Sequence, residues 1–291
     1  MAATLAAAMA LLGVAAPASA SVVRSQTLDI TAVEPLTYTI DTHGQLTAGL
    51  VHLRFVNRGT AAHQAQLLRL NDGVTFAKWQ ADLRGPDPNV AVFGDATTAG
   101  GATPVLPGGR EDVWDVLRAG TYVVACFVPG PNGVQHIFLG MYKPFDVRGA
   151  TPRDPVARER HAGWPWFGTI RAHDLTYTMP RYLVDGSVIR FEDTDASDIH
   201  EVNLGKLAPG KTVADAKAWF VAASANPPRD PGPAPFTFAG GHGAEPPGHG
   251  GWFQVEADPG RYIAFCLVPD DKTGLPHAAM GMVVGVTVLP G

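Results

Sequence analysis

The chain has 291 residues, 46% hydrophobic and 17% charged, a balance that allows a sizeable core and argues against disorder. A net charge of −5 with no block of like charge excludes the basic face that phosphate backbones require, so no nucleic-acid partner is expected. With 33 glycines and 25 prolines and no collagen period, the composition favours short strands joined by turns, and the length favours two domains.

Residues 1–20 read as a signal peptide: the apolar run Leu5 to Ala16 precedes Ala18-Ser19-Ala20, a small-x-small cleavage signal, although no Lys or Arg comes before it. The run is too short to span a bilayer. The mature protein is expected to begin near Ser21, with no membrane span, and to be secreted, periplasmic or held in the cell envelope. In such an oxidising setting Cys126 and Cys266 are candidates for a disulfide.

Beyond the leader the chain reads as a duplication. Leu36-Thr37-Tyr38-Thr39-Ile40 recurs as Leu175-Thr176-Tyr177-Thr178-Met179, and Leu53-Arg54-Phe55 as Ile189-Arg190-Phe191. His63 is followed by Leu67, Leu70, Gly73 and Thr75, and His200 at the same offsets by Leu204, Leu207, Gly210 and Thr212. A short helix is expected after each of these threonines, which are fair N-caps, the second over Val213 to Ala223. Thr121 to Val128 and Arg261 to Val268 read as strands opened by Gly and closed by Pro. Alternation puts Tyr122, Val124 and Cys126 on one face, and Tyr262, Ala264 and Cys266 likewise. The reading is therefore a domain over 21–147, a Pro- and Arg-rich linker over 148–166 in which Trp164 and Trp166 are expected to pack, and a second domain over 167–291. Each domain is expected to be an all-β sandwich of two antiparallel sheets with short helical insertions.

The chemistry-bearing residues repeat as well. Cys126 is followed by His136 and Met141, Cys266 by His277 and Met282, and a remote His63 or His200 precedes each set. Two imidazoles, a thiolate and a thioether are the donor set of a trigonal blue-copper site with a weak axial bond. Met280 competes with Met282, which is preferred for its Gly-Met context and its distance from His277.

The Gly-x-Tyr-x3-Cys strand, the Cys…His-x4-Met loop and the Asn57-x5-His63 segment resemble the motifs of the cupredoxins. That resemblance implies a Greek-key sandwich in each half. It also implies one copper ion held by His63, Cys126, His136 and Met141, and a second held by His200, Cys266, His277 and Met282, serving electron transfer to a redox partner protein. Departures from the family pattern are a long Cys-to-His loop, Asp193 in place of Asn57, and Gln64 or Glu201 after the first histidine. Copper storage or scavenging, a metal-free scaffold, and a small multicopper oxidase or nitrite-reductase-like enzyme are the alternatives. The enzymes need ligands for a second copper centre, yet Ala125 and Phe127 flank Cys126, Phe265 and Leu267 flank Cys266, and the chain has no His-x-His. His43, His52, His161 and His173 read as structural or surface residues. His242 and His249 fall in a Gly/Pro-rich stretch, 240–251, expected to be a flexible loop.

Overall fold

The computed structural model describes residues 26–149, 166–225 and 230–291. The signal-peptide reading of 1–20, most of the linker, His161, Trp164 and the side chain of Trp166 lie outside the described residues.

In the first half, β1 (Gln26–Val33), β2 (Thr37–Asp41), β3 (Gly49–Asn57) and β4 (His63–Leu70) lead into helix α1 (Phe76–Leu83). Then come β5 (Ala96–Val105), β6 (Arg110–Leu117), β7 (Gly120–Ala125) and β8 (Tyr142–Val147). The second half runs β9 (Trp166–His173), β10 (Thr176–Thr178), β11 (Tyr182–Val184), β12 (Val188–Asp193), β13 (His200–Leu207) and α2 (Val213–Ala223). It closes with β14 (Phe236–Glu245), β15 (Gly250–Gln254), β16 (Gly260–Phe265) and β17 (Val283–Leu289).

Each half is two sheets face to face. One sheet of the first half has the order β5-β4-β7-β8, and its counterpart in the second half has the order β11-β17-β16-β13-β14. The facing sheets, β2-β1-β3-β6 and β10-β9-β12-β15, are joined edge to edge into one eight-stranded sheet by the pairs Trp114–Trp252 and Val113–Phe253. Alternation decides which side chains enter the sandwich. Leu28, Ile30, Leu53, Phe55, Tyr122, Val124 and Cys126 fill the first interior, with Ile189, Phe191, Leu204, Tyr262, Ala264 and Cys266 in the second. The opposite face of β4 and β7 carries Leu68, Val123 and Ala125, which α1 covers with Trp79 and Leu83. In the second half Ala216 and Phe220 of α2 cover Ile263 and Phe265 in the same way. Both helices start where expected: the Thr75 hydroxyl accepts from Lys78 N, and Thr212 forms a reciprocal capping box with Asp215.

One expectation is corrected. The stretch 240–251 is not a flexible loop: its first six residues belong to β14 and its last two to β15, with a tight turn between them. Its glycines serve close backbone approach. A Cβ on Gly241, whose φ is +142°, would sit against Val202 O, and one on Gly243 would lie 2.7 Å from Gly100 O across the interface between the halves. His242 is fully buried, whereas His249 is exposed in the turn.

Candidate metal centre

At the end of the first sandwich, four stretches of chain converge because their backbones bond to one another. Cys126 follows β7, and its N–H donates to Met141 O at 3.2 Å, while its carbonyl accepts from Ile137 N at 2.7 Å. His136 opens a single 3-10 turn, His136–Leu139, and Met141 N returns to His136 O at 2.9 Å. The remote ligand position, His63, begins β4 after a bend pinned by Asn57. Its Nδ2 donates to Ala61 O and Val105 O, and its Oδ1 accepts from Gly59 N. His63 then lies directly over Gly59, where a Cβ would come within 2.6 Å of Nε2.

The result is a triangle of donor atoms. His63 Nδ1 and His136 Nδ1 are 3.2 Å apart, and Cys126 Sγ is 3.8 Å from the first and 3.5 Å from the second. The centre of that triangle is about 2.0 Å from all three atoms, close to the length of a metal–imidazole bond. Met141 is fully buried in the same core cluster as Cys126. Burial pushes the Cys126 thiol up to about 11. Burial also pulls His63 and His136 below the usual imidazole range, with the charge of His136 adding to the effect on His63. At neutral pH both rings thus present free lone pairs, and the thiol must release its proton to bind a metal. A soft sulfur with two imidazoles fits copper by the chemistry of its donors.

The second half repeats the frame with one difference. Cys266 Sγ is 3.5 Å from His277 Nδ1, and the His200 and His277 rings are 4.9 Å apart, the same separation as His63 and His136. His200, however, is engaged by other partners. Its Nδ1 lies 3.3 Å from Asp193 Oδ1 and its Nε2 2.8 Å from Asp174 O, so both nitrogens face oxygen acceptors. Burial pulls its pKa down, but the hydrogen bond and charge of Asp193 outweigh that and leave it raised. Among the described residues, the close clusters of metal-binding side chains include His63, Cys126 and His136 but not the His200, Cys266 and His277 trio. Met282 is fully buried, while Met280 is half-buried with its sulfur accepting from the Thr273 hydroxyl. Both cysteines are free and buried, so they do not form a disulfide with each other.

Two residues near the sulfurs went unassigned in the sequence. The Tyr38 hydroxyl donates to Gln64 O at 2.5 Å and lies beside Cys126, and Tyr177 does the same with Glu201 O and Cys266. Their recurrence in the Leu-Thr-Tyr-Thr repeat was the available signal. Of the remaining histidines, His43 is exposed and pairs with Asp29, His52 pairs with Asp112 and stacks on Trp114, and His173 meets Thr178.

No protein-family model matches the chain, and no curated protein matches it. Among solved structures, reduced auracyanin from Roseiflexus castenholzii is 24% identical over 44% of this chain and 100% of its own, with a TM-score of 0.29. Rusticyanin from Thiobacillus ferrooxidans is 14% identical over 42% of this chain and 76% of its own, at 0.24. A blue copper oxidase from Nitrosomonas europaea is 14% identical over 92% of this chain and 86% of its own, at 0.22. Its paired sheets and their strand order give the chain a cupredoxin-like fold.

Proposed function

We propose that the protein binds copper and carries electrons, with His63, Cys126, His136 and Met141 as the principal site and His200, Cys266, His277 and Met282 as a second, weaker one. The observation that supports this most directly is the Nδ1, Nδ1, Sγ triangle, whose centre lies at metal-bonding distance from two neutral imidazoles and a thiol. Copper, when bound there, supplies a one-electron couple. The chain's own part is to hold the donors fixed. Backbone hydrogen bonds tie Cys126, His136 and Met141 together, Asn57 pins the His63 bend, and the apolar core keeps water from the sulfur. Such rigidity lowers the structural change that accompanies each electron transfer. In the second half, metal binding requires His200 to leave Asp193. Export to the cell envelope and a redox partner belong to the same reading.

The test is a copper titration of the chain from Ser21 onward, followed by its thiolate-to-copper absorption and by reversible reduction. An intense band that Cys126→Ser weakens and the double substitution Cys126→Ser, Cys266→Ser abolishes, together with reversible one-electron reduction, supports electron transfer. Tight copper(I) binding without colour would replace it with storage, and no binding would reject it in favour of a scaffold.

A further inference from the structure

The interface between the halves holds another cluster of ligand-type side chains, made of none of the copper-ligand candidates above. Asp115 of β6 and His242 and Glu245 of β14 are each at most 5% exposed, and one ligand atom from each lies within 4.8 Å of the other two. His242 Nδ1–H donates to Gly243 O at 2.9 Å, a carbonyl that can only accept. That bond fixes the tautomer, so in the neutral ring Nε2 carries the lone pair. This lone pair faces Asp115 Oδ1 at 2.9 Å, and neither atom makes a well-formed hydrogen bond with any partner among the described residues. Two electron-rich atoms at that distance in a buried place need a positive charge between or upon them.

The surroundings are built for a cation. Asp115 Oδ2 is held by Gly101 N at 3.0 Å, which leaves Oδ1 free to point at His242. Glu245 brings a third donor, and burial, then Asp115 and Asp193, push its carboxyl well above the usual range. Two glycines keep the space open. A Cβ on Gly251 would lie 2.3 Å from His242 Nε2, and one on Gly100 would lie 2.2 Å from Asp115 Oδ1. The cluster is not a by-product of the repeat either. The strand registers place Ala102, Val105 and Val255 at the positions equivalent to His242, Glu245 and Asp115.

We propose that Asp115, His242 and Glu245 form a buried site for one zinc-class divalent cation that ties the two halves of the chain together. One imidazole and two carboxylates suit such an ion, and the Nδ1–H bond to Gly243 O is the outer contact that orients a metal-binding histidine.

The test uses the full chain carrying Cys126→Ser and Cys266→Ser, stripped with a chelator and titrated with Zn2+ by calorimetry. One equivalent should bind, raise the unfolding temperature, and weaken at least about tenfold on His242→Gln or Asp115→Asn. X-ray absorption at the zinc edge needs no site variant, so it stands even if those proteins fail to fold. It should show a shell of nitrogen and oxygen with a single imidazole. A shell with two imidazoles would move the ion to the His63–His136 pair and overturn the proposal. So would the absence of stoichiometric Zn2+ binding, or binding that both substitutions leave unchanged.

Discussion

Replacing Asp193 with Asn should move the acid limit of copper loading in the second half toward that of the first. Asp193 Oδ1 lies 3.3 Å from His200 Nδ1, and both side chains are fully buried. At an effective dielectric constant of ~20, two unit charges at that distance attract by about 5 kcal/mol before desolvation is counted. That attraction is why His200 titrates above the ordinary imidazole value of 6.5 despite its burial. Burial moves His63, His136 and His277 the other way. Only the neutral ring binds metal, so a raised pKa brings proton competition in at higher pH. A ring titrating at 6.5 would lose about tenfold in apparent affinity between about pH 7.5 and about pH 5.5. His200 should cost the second site more than that, and each first-site histidine should cost less. Thiol deprotonation adds a pH dependence of the same sign at both cysteines. The assay is copper loading against pH in Cys126→Ser, which leaves the second site, and in Cys266→Ser, which leaves the first. Asp193→Asn is then added to the former. Equal midpoints in the two single-site proteins would refute the reasoning, as would a second-site midpoint that Asp193→Asn leaves in place.

Three further outcomes are expected. Gln66→Leu removes the bond from Gln66 to Gly100 O and its two bonds across the interface, to Ala244 O and from Ala244 N, and the stranded backbone groups should cost about 2–5 kcal/mol in urea denaturation. A loss under about 1 kcal/mol would contradict this. Burial holds the Glu111 carboxyl well above its ordinary 4.5, so the stability its proton contributes is complete below 4.5 and is lost as pH rises toward the folded value. Glu111→Gln imitates the neutral acid and should match the parent near pH 4, then exceed it at pH 8 by about 1.4 kcal/mol per pH unit between 4.5 and the folded pKa. A variant that gains nothing at pH 8 would overturn the assignment. Met282→Leu should change the copper spectrum and potential of the second site, whereas Met280→Leu should not, since Met280 is already bound to Thr273; the reverse pattern would exchange their roles.

The strand frame, both helix starts and the convergence of Cys126 with His63 and His136 were legible because each rests on local signals that occur twice. Thr75 and Thr212 cap at the same offset from their histidines, and the Gly-x-Tyr-x3-Cys strand carries its period in both copies. What departs from the repeat was harder to read. The exchange of Asn57 for Asp193 was visible, but not that the carboxylate would capture His200, because that depends on a bend one residue longer between Asp193 and His200. The glycines of 240–251 suggested flexibility because a sequence does not distinguish glycine that frees a loop from glycine that lets two backbones touch. His242 and Asp115 meet across 127 positions of sequence through the pairing of two sheet edges, and no local pattern encodes that.

The edge pairing of β6 with β15 also bears on what joining two halves in one chain makes possible. A bare outer strand is a template for another chain, and here each half covers the other's. Two separate copies of one half could meet along the same edges only as a symmetric pair, in which every residue at the contact appears on both sides. Covalent linkage lifts that restriction. One side of the seam can supply an acid and the other a histidine, so such a pairing can occur once, rather than in the two symmetry-related copies that identical subunits would carry.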